Sequence, residues 1–161
     1  MMQLRYDDHD DFIVVNKGFG FRTHRVSDGQ FGLVEYLSEK LQKELWVVHR
    51  LDKETSGLIL FAKNKNAAQK LSSLFENHDI HKIYLLLTDK NMTSTEFSVE
   101  GHIDKEDNKF ILKPELPSNS KTDFRLVKKL GSFFLWEARP ESGKPRVYLI
   151  VVGERITMFG A

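Results

Sequence analysis

Asp52 lies between Arg50 and the turn-forming Thr55-Ser56-Gly57, inside the stretch His49-Arg50-Leu51-Asp52-Lys53-Glu54-Thr55-Ser56-Gly57-Leu58. An aspartate can act as a nucleophile, as a general base, or as the electrostatic partner of a developing cation. Each role requires a carboxylate that is ionised and aimed. Arg50 can hold the loop through contacts of its own, Thr55 and Ser56 can bond loop backbone groups, and Gly57 permits a tight entry into the next element. A hydrolase built on paired acids would need a second carboxylate at a set distance, and Glu54 is the only near neighbour in the chain.

The elements that must position this loop are legible on both sides of it. Leu45-Trp46-Val47-Val48 and Gly57-Leu58-Ile59-Leu60-Phe61-Ala62 read as strands, the second buried. Upstream, Phe12-Ile13-Val14-Val15 is a strand closed by Asn16-Lys17-Gly18. Residues 18–30 then carry Gly18, Gly20 and Gly29 with Arg22, His24, Arg25 and Ser27, and read as a loop. Leu33, Leu37 and Leu41, with Val34 and Tyr36, predict a helix over about 31–43. Asn64 is placed to cap a second helix whose Ala67, Ala68, Leu71, Leu74 and Phe75 share one face. Further strands are expected at 83–88, 97–103, 110–113, 122–130 and 133–138, with polar loops at 91–95 and 114–120. Many strands and two helices make an α+β fold, with a mixed, largely antiparallel sheet and flanking helices.

Length and composition set the frame. A chain of 161 residues suits a single domain, residues 1–161, with one sizeable core. Hydrophobic residues at 40% and charged residues at 29% argue against global disorder. No apolar run is long enough for a membrane span, and the first ten residues lack an apolar signal core, so a cytoplasmic protein is expected. The absence of cysteine excludes a disulfide framework and a thiolate metal site. With a net charge of +1, a nucleic-acid binder must concentrate its cations locally. Lys63, Lys65 and Lys70 form one such group, and Arg125, Lys128 and Lys129 another.

The stretch 49–58 resembles the signature of the RluA-type RNA pseudouridine synthases, a His-Arg-Leu-Asp-x-x-Thr-Ser-Gly-Leu pattern followed by an apolar strand ending near Ala-Lys, here Ala62-Lys63. Asn16-Lys17-Gly18-Phe19-Gly20, with His24 after it, resembles the family's Asn-Lys-Pro-x-Gly segment, Gly18 standing where the family has proline. Lys82-Ile83-Tyr84 resembles its Lys-x-Tyr strand opening, and Pro140 to Lys144 its Pro-x-Thr-Gly-Arg/Lys segment.

The resemblance implies a pseudouridine-synthase-like fold and isomerisation of uridine to pseudouridine in ribosomal or transfer RNA. It implies no metal, nucleotide or redox cofactor. Asp52 takes the place of the essential carboxylate, as nucleophile on the sugar or as base toward a sugar proton. Tyr84 takes the place of the aromatic that stacks on the flipped base. Asn16, Lys17, His24, His49, Arg50, Thr55 and Lys82 are the expected RNA contacts.

The pattern breaks near the end. The family continues Thr-His-Gln-Ile-Arg-Val, and its arginine pairs with the catalytic aspartate; this chain reads Lys144-Pro145-Arg146-Val147-Tyr148-Leu149. Skipping three residues aligns Arg146 with that arginine. The apolar run Val147 to Val152 has both strand and helix character. Relatives continue beyond this point, so the expectation is a C-terminally short catalytic domain without a separate N-terminal RNA-binding domain. Self-association is one way to cover the short side. The alternative to an active synthase is a shortened relative that only binds RNA.

Overall fold

The structure is a computed structural model and describes residues 5–25, 31–89, 92–106, 109–113, 115–141 and 157–160. Its residues group into two compact units, one formed by Met1–Asp79 with Phe159–Ala161 and the other by Ile80–Met158.

The first unit carries a four-stranded sheet in the order β1-β2-β4-β3, all pairs antiparallel, from β1 (Tyr6–Asp8), β2 (Phe12–Lys17), β3 (Trp46–Val47) and β4 (Gly57–Ala62). Strand alternation builds its core. Ile13 and Val15 of β2 lie opposite Phe61 and Ile59 of β4, and all four are buried. The same alternation carries one step further to Lys17, which lies opposite Gly57 at the end of the ladder and is also buried. Gly57 has φ 126°, a backbone geometry that side chains other than glycine's rarely adopt.

Helix α1 (Leu33–Leu41) buries Leu33, Val34 and Leu37. Its first turn is capped by Glu35, whose carboxylate accepts the Gly32 N–H at 3.0 Å. Its end is a left-handed Gln42 at φ 50°. Helix α2 (Lys65–Glu76) starts at Asn64, whose Oδ1 accepts the Ala67 N–H at 2.8 Å, the cap its position in the chain predicts.

The other sheet is six-stranded, in the order β10-β5-β9-β8-β6-β7, from β5 (Tyr84–Thr88), β6 (Glu96–Glu106), β7 (Lys109–Lys113), β8 (Ser120–Leu130), β9 (Phe133–Pro140) and β10 (Thr157–Gly160). Thr122 and Phe124 of β8, Phe134, Trp136 and Ala138 of β9, and Tyr84 and Leu86 of β5 are buried. Phe97 stacks on Phe124 at 4.8 Å and meets Trp136 edge-on at 5.3 Å. Gly131, at φ 63°, turns the long β8–β9 hairpin, and the register shifts between Leu126 and Lys128.

The α+β expectation holds, resolved into two antiparallel sheets and two helices. Some boundaries move: β3 is shorter than the apolar run 45–48, and β6 and β8 are longer than their apolar centres. Strand β1 is a departure. Tyr6–Asp8 is polar and exposed, and it forms because it hydrogen-bonds along the edge of β2, not because it buries a side-chain face. The run Val147 to Val152 and Arg146 lie outside the described residues.

Replacing Gly57 tests the entry to β4. A Gly57→Ala variant is expected to lose about 1–3 kcal/mol of stability from the strained φ, read as a lower urea midpoint at unchanged m-value.

Candidate active site

Asp52 sits on a tight turn. Its carbonyl accepts the Thr55 N–H at 3.0 Å, and Thr55 is buried behind it. The residues on either side of Asp52 are gripped by the loop that follows β2. Thr23 Oγ1 donates to the Leu51 carbonyl at 3.0 Å and accepts the Leu51 N–H at 3.3 Å, in a buried setting. Gly20 N–H donates to the Lys53 carbonyl at 2.8 Å. Gly20 has φ 85°, so glycine supplies the turn that this contact needs. Asp52 is therefore suspended between two backbone positions, each tied to residues 20–23.

Lys17 completes the fastening. Its side chain is fully buried, and Nζ donates to the carbonyls of Phe21 at 2.8 Å and of Gly18 and Lys53 at 3.4 Å. Burial pushes the Lys17 pKa below its usual value of 10.5, while the charges of Glu54 and Asp52 pull it back up. A cation held on three carbonyls thus lies within electrostatic reach of both loop carboxylates.

The loop is fixed on its far side by α1. Leu33 and Val34 donate their N–H groups to the carbonyls of Arg22 and Thr23 at 2.9 and 3.0 Å. The Glu35 carboxylate accepts the Arg25 N–H at 3.0 Å. Gly32 lies so close to His24 that a Cβ there would meet the His24 backbone at 2.3 Å. Glycine at 32 is thus a requirement of the His24–α1 approach.

These ties enclose a cleft of about 240 Å³ lined by Arg22, Thr23, His24, Arg50, Leu51, Asp52, Lys53 and Glu54. That is smaller than the ~300–1,000 Å³ of sites that swallow a whole small molecule. Arg22, Arg50 and Lys53 outnumber Asp52 and Glu54 there, so the cleft combines an aimed carboxylate with a cationic rim. Such a site suits an anionic polymer that presents one group to the acid. The second unit has a larger depression of about 430 Å³ lined by Glu96, Ser98, Asp123, Arg125, Glu137 and Arg139, among others. Its arginines are engaged: Arg139 Nε and Arg125 Nη2 donate to Glu137 at 2.7 and 3.2 Å. Burial raises the Glu137 pKa, but these hydrogen bonds outweigh it and hold the carboxyl below its usual range.

The expected site residues divide by where their side chains go. Asp52, Arg50 and His24 meet at the cleft. Thr55 supports the turn from the interior. Lys17, expected among the RNA contacts, is instead an interior fastener, because it continues the inward face of Ile13 and Val15. His49, also expected on RNA, accepts the Leu60 N–H on Nε2 at 2.9 Å and stacks on Phe75 of α2 at 4.3 Å. Its ring joins the loop start to β4 and α2. Asn16 is exposed on β2.

Tyr84 and Lys82 belong to the second unit. Tyr84 opens β5 and is 8% exposed, and Lys82 is half-buried, with its pKa lowered by that burial. The two cation groups read from the chain are partly committed to acids: Lys63 pairs with Asp8 at 2.8 Å and Arg125 with Glu137. Thr23, Gly20 and Gly32 were not among the expected site residues. For Lys17 the period-two pattern of β2 carried the signal; for Thr23 nothing in the local sequence does.

Residues 11–147 match the family described as RNA pseudouridylate synthase. The chain is 34% identical over 138 residues to an uncharacterized RNA pseudouridine synthase of Haemophilus influenzae, covering 84% of this chain and 61% of that protein. It is 32% identical over 152 residues to the ribosomal large subunit pseudouridine synthase C of Vibrio cholerae, covering 86% and 44%. The chain thus spans about half the length of these relatives. Among solved structures, human RNA pseudouridylate synthase domain containing 1 superposes with a TM-score of 0.79 at 19% identity, over 98% of this chain and 76% of that one, a likeness of fold.

Two substitutions test the fastening of Asp52. Thr23→Val keeps the volume but strips both Leu51 bonds, and is expected to cost about 1–3 kcal/mol, measured by thermal or urea unfolding. Lys17 gives a pH signature. Its folded-state pKa lies below 10.5, so between that lowered value and 10.5 the unfolded chain binds more protons and stability rises with pH. In Lys17→Met this gain is absent, so the urea midpoint of the wild type should improve relative to the variant as pH rises toward 10.5. A constant difference across that window would refute the assignment.

Proposed function

The chain belongs to the RNA pseudouridylate synthase family, and we propose that it isomerises uridine to pseudouridine in RNA with Asp52 as the essential carboxylate. The observation that carries this reading is the placement of Asp52: in a cationic cleft, between two residues whose backbones are clamped by residues 17–23.

The reaction is an isomerisation. The bond from N1 of the base to the sugar C1′ breaks, the base turns, and C5 joins C1′. The proton leaves C5, and N1 ends protonated, so nothing is gained or lost overall. Asp52 serves either as nucleophile on the sugar or as base toward a sugar proton, and both need the same ionised, aimed carboxylate. The uridine must leave its stack to reach a recessed carboxylate.

Arg50 and His24, on the rim, are suited to phosphate or base-edge contacts. Tyr84 is proposed as the aromatic against the flipped base, and Arg146 as the guanidinium partner of Asp52. The family match runs through residue 147 and so includes both. Ribosomal or transfer RNA is the proposed substrate, and residues 1–161 act as one catalytic domain. Among the described residues no helix is long and apolar enough to cross a membrane.

The test is incubation of the purified chain with ribosomal and transfer RNA, without added metal, followed by complete digestion and nucleoside chromatography. Pseudouridine should form, and Asp52→Asn should reduce its rate by at least ~10²–10⁴-fold. Product formed equally well by Asp52→Asn would sink the role of Asp52. Retention of RNA that weakens with salt, with no product from the wild type, would instead identify a binding-only relative.

A further inference from the structure

Three exposed phenylalanines adjoin, in the chain, the residues that line the Asp52 cleft. Phe19 is 66% exposed, Phe21 41% and Phe31 60%. They bracket the cleft-lining residues in the chain. Phe19 and Phe21 lie just before Arg22, Thr23 and His24, and Phe31 precedes Gly32, which abuts the His24 backbone.

Exposed aromatic rings leave apolar area unburied, and the fold gains little from them here. Gly18, two residues before Gly20, would accept a Cβ at ordinary contact distance from Phe21, and Gly20 has open space where a Cβ would go. The backbone beneath the rings is nonetheless held fast. Gly20 and Phe21 are tied to Lys53 and Lys17, and Arg22 and Thr23 to the start of α1. The Arg25 guanidinium lies 4.3 Å over the Phe31 ring, and the Arg25 backbone N–H donates to the Glu35 carboxylate. Exposed rings on this backbone, interleaved with Arg22, Arg25, Arg50 and Lys53, match what an unpaired polynucleotide offers: planar bases and a phosphate chain.

We propose that Phe19, Phe21 and Phe31, with Arg25 against Phe31, form a stacking platform for unpaired bases of the RNA strand adjoining the uridine delivered to Asp52. The proposal rests on the reading of the Asp52 cleft as the isomerisation site, and it adds a preference. Unpaired RNA binds in two steps of recognition: phosphates meet the cationic rim, and bases stack on the rings. A duplex keeps its bases stacked on each other and meets only the rim. The platform therefore selects loops, bulges and single strands over continuous helix.

Binding, not turnover, tests this, so that it can fail independently of the catalytic assignment. The full chain carrying Asp52→Asn is titrated with a labelled single-stranded RNA of about twelve nucleotides, and with the same strand annealed to its complement. Phe19→Ser and Phe31→Ser should each weaken single-strand binding by about 5- to 100-fold, and Phe19→Trp and Phe31→Trp should retain it. Duplex binding should change less than about twofold in all four, because it depends on phosphate contacts. The serine variants should keep the parent's dependence of affinity on salt, whereas Arg25→Gln should flatten it.

Thermal unfolding of each variant should match the parent, since the substituted rings are exposed. Serine variants that bind the single strand as tightly as the parent would overturn the platform. So would an equal loss for single strand and duplex, or a change in self-association with RNA affinity unaltered, which would assign the rings to a second copy of the chain. If the wild type makes no pseudouridine while the serine variants still lose single-strand binding selectively, the platform stands and the catalytic reading falls.

Discussion

Everything that can be said of Asp52 depends on the double grip on its backbone neighbours. A carboxylate on a free loop would sample many directions, and holding one direction must offset the conformational entropy of the loop. Here that cost is met by bonds to Leu51 and Lys53, from Thr23, Gly20 and Lys17. The Thr23 hydroxyl both donates and accepts, so it satisfies two buried backbone groups of one residue. Bonds of this kind contribute modestly when made, but are expensive to leave unmade in the interior. The backbone path on either side of Asp52 is thereby tied to the stability of the first unit.

Lys17 is the costly member of this arrangement. Burying an ammonium is unfavourable unless its hydrogen bonds are replaced. Carbonyls of Phe21, Gly18 and Lys53 replace them, and the fields of Asp52 and Glu54 favour the charged form. The contrast with the second unit is informative. There Glu137 gathers Arg125 and Arg139 into an ion network at the sheet surface, so the cations face their own acid. In the first unit Arg22, Arg50 and Lys53 line the same cleft as Asp52 and Glu54. With a net charge of only +1, local arrangement and not total charge distinguishes the two faces.

Much of the local structure could be read directly. The run 57–62 forms β4 over those same residues, Asn64 caps α2, and the α1 periodicity of Leu33, Leu37 and Leu41 describes a helix. These are short-range effects: alternation, capping and helical spacing act within a few residues. What local sequence does not convey involves long-range contacts. Tyr6–Asp8 pairs as a strand only because β2 offers an edge. His49 acts as a joint because Leu60 and Phe75 come to it from two other elements. Lys17, a charged residue before a glycine-rich loop, resembles a surface contact until its register opposite Gly57 turns it inward.

The sequence by itself determined the family and the α+β class and placed Asp52 inside the motif, because a ten-residue pattern of specific residue types rarely recurs by chance and needs no partner to be recognised. Only the tertiary structure decided what surrounds that acid. Thr23 is 29 positions before Asp52 in the chain, and no local rule couples a threonine in one loop to the carbonyl of another. The same holds for Gly32, whose missing Cβ matters only because His24 packs against it. Hydrogen bonds and close approaches between distant segments follow from how β2, β4 and α1 assemble, and that assembly fixes the backbone on both sides of Asp52.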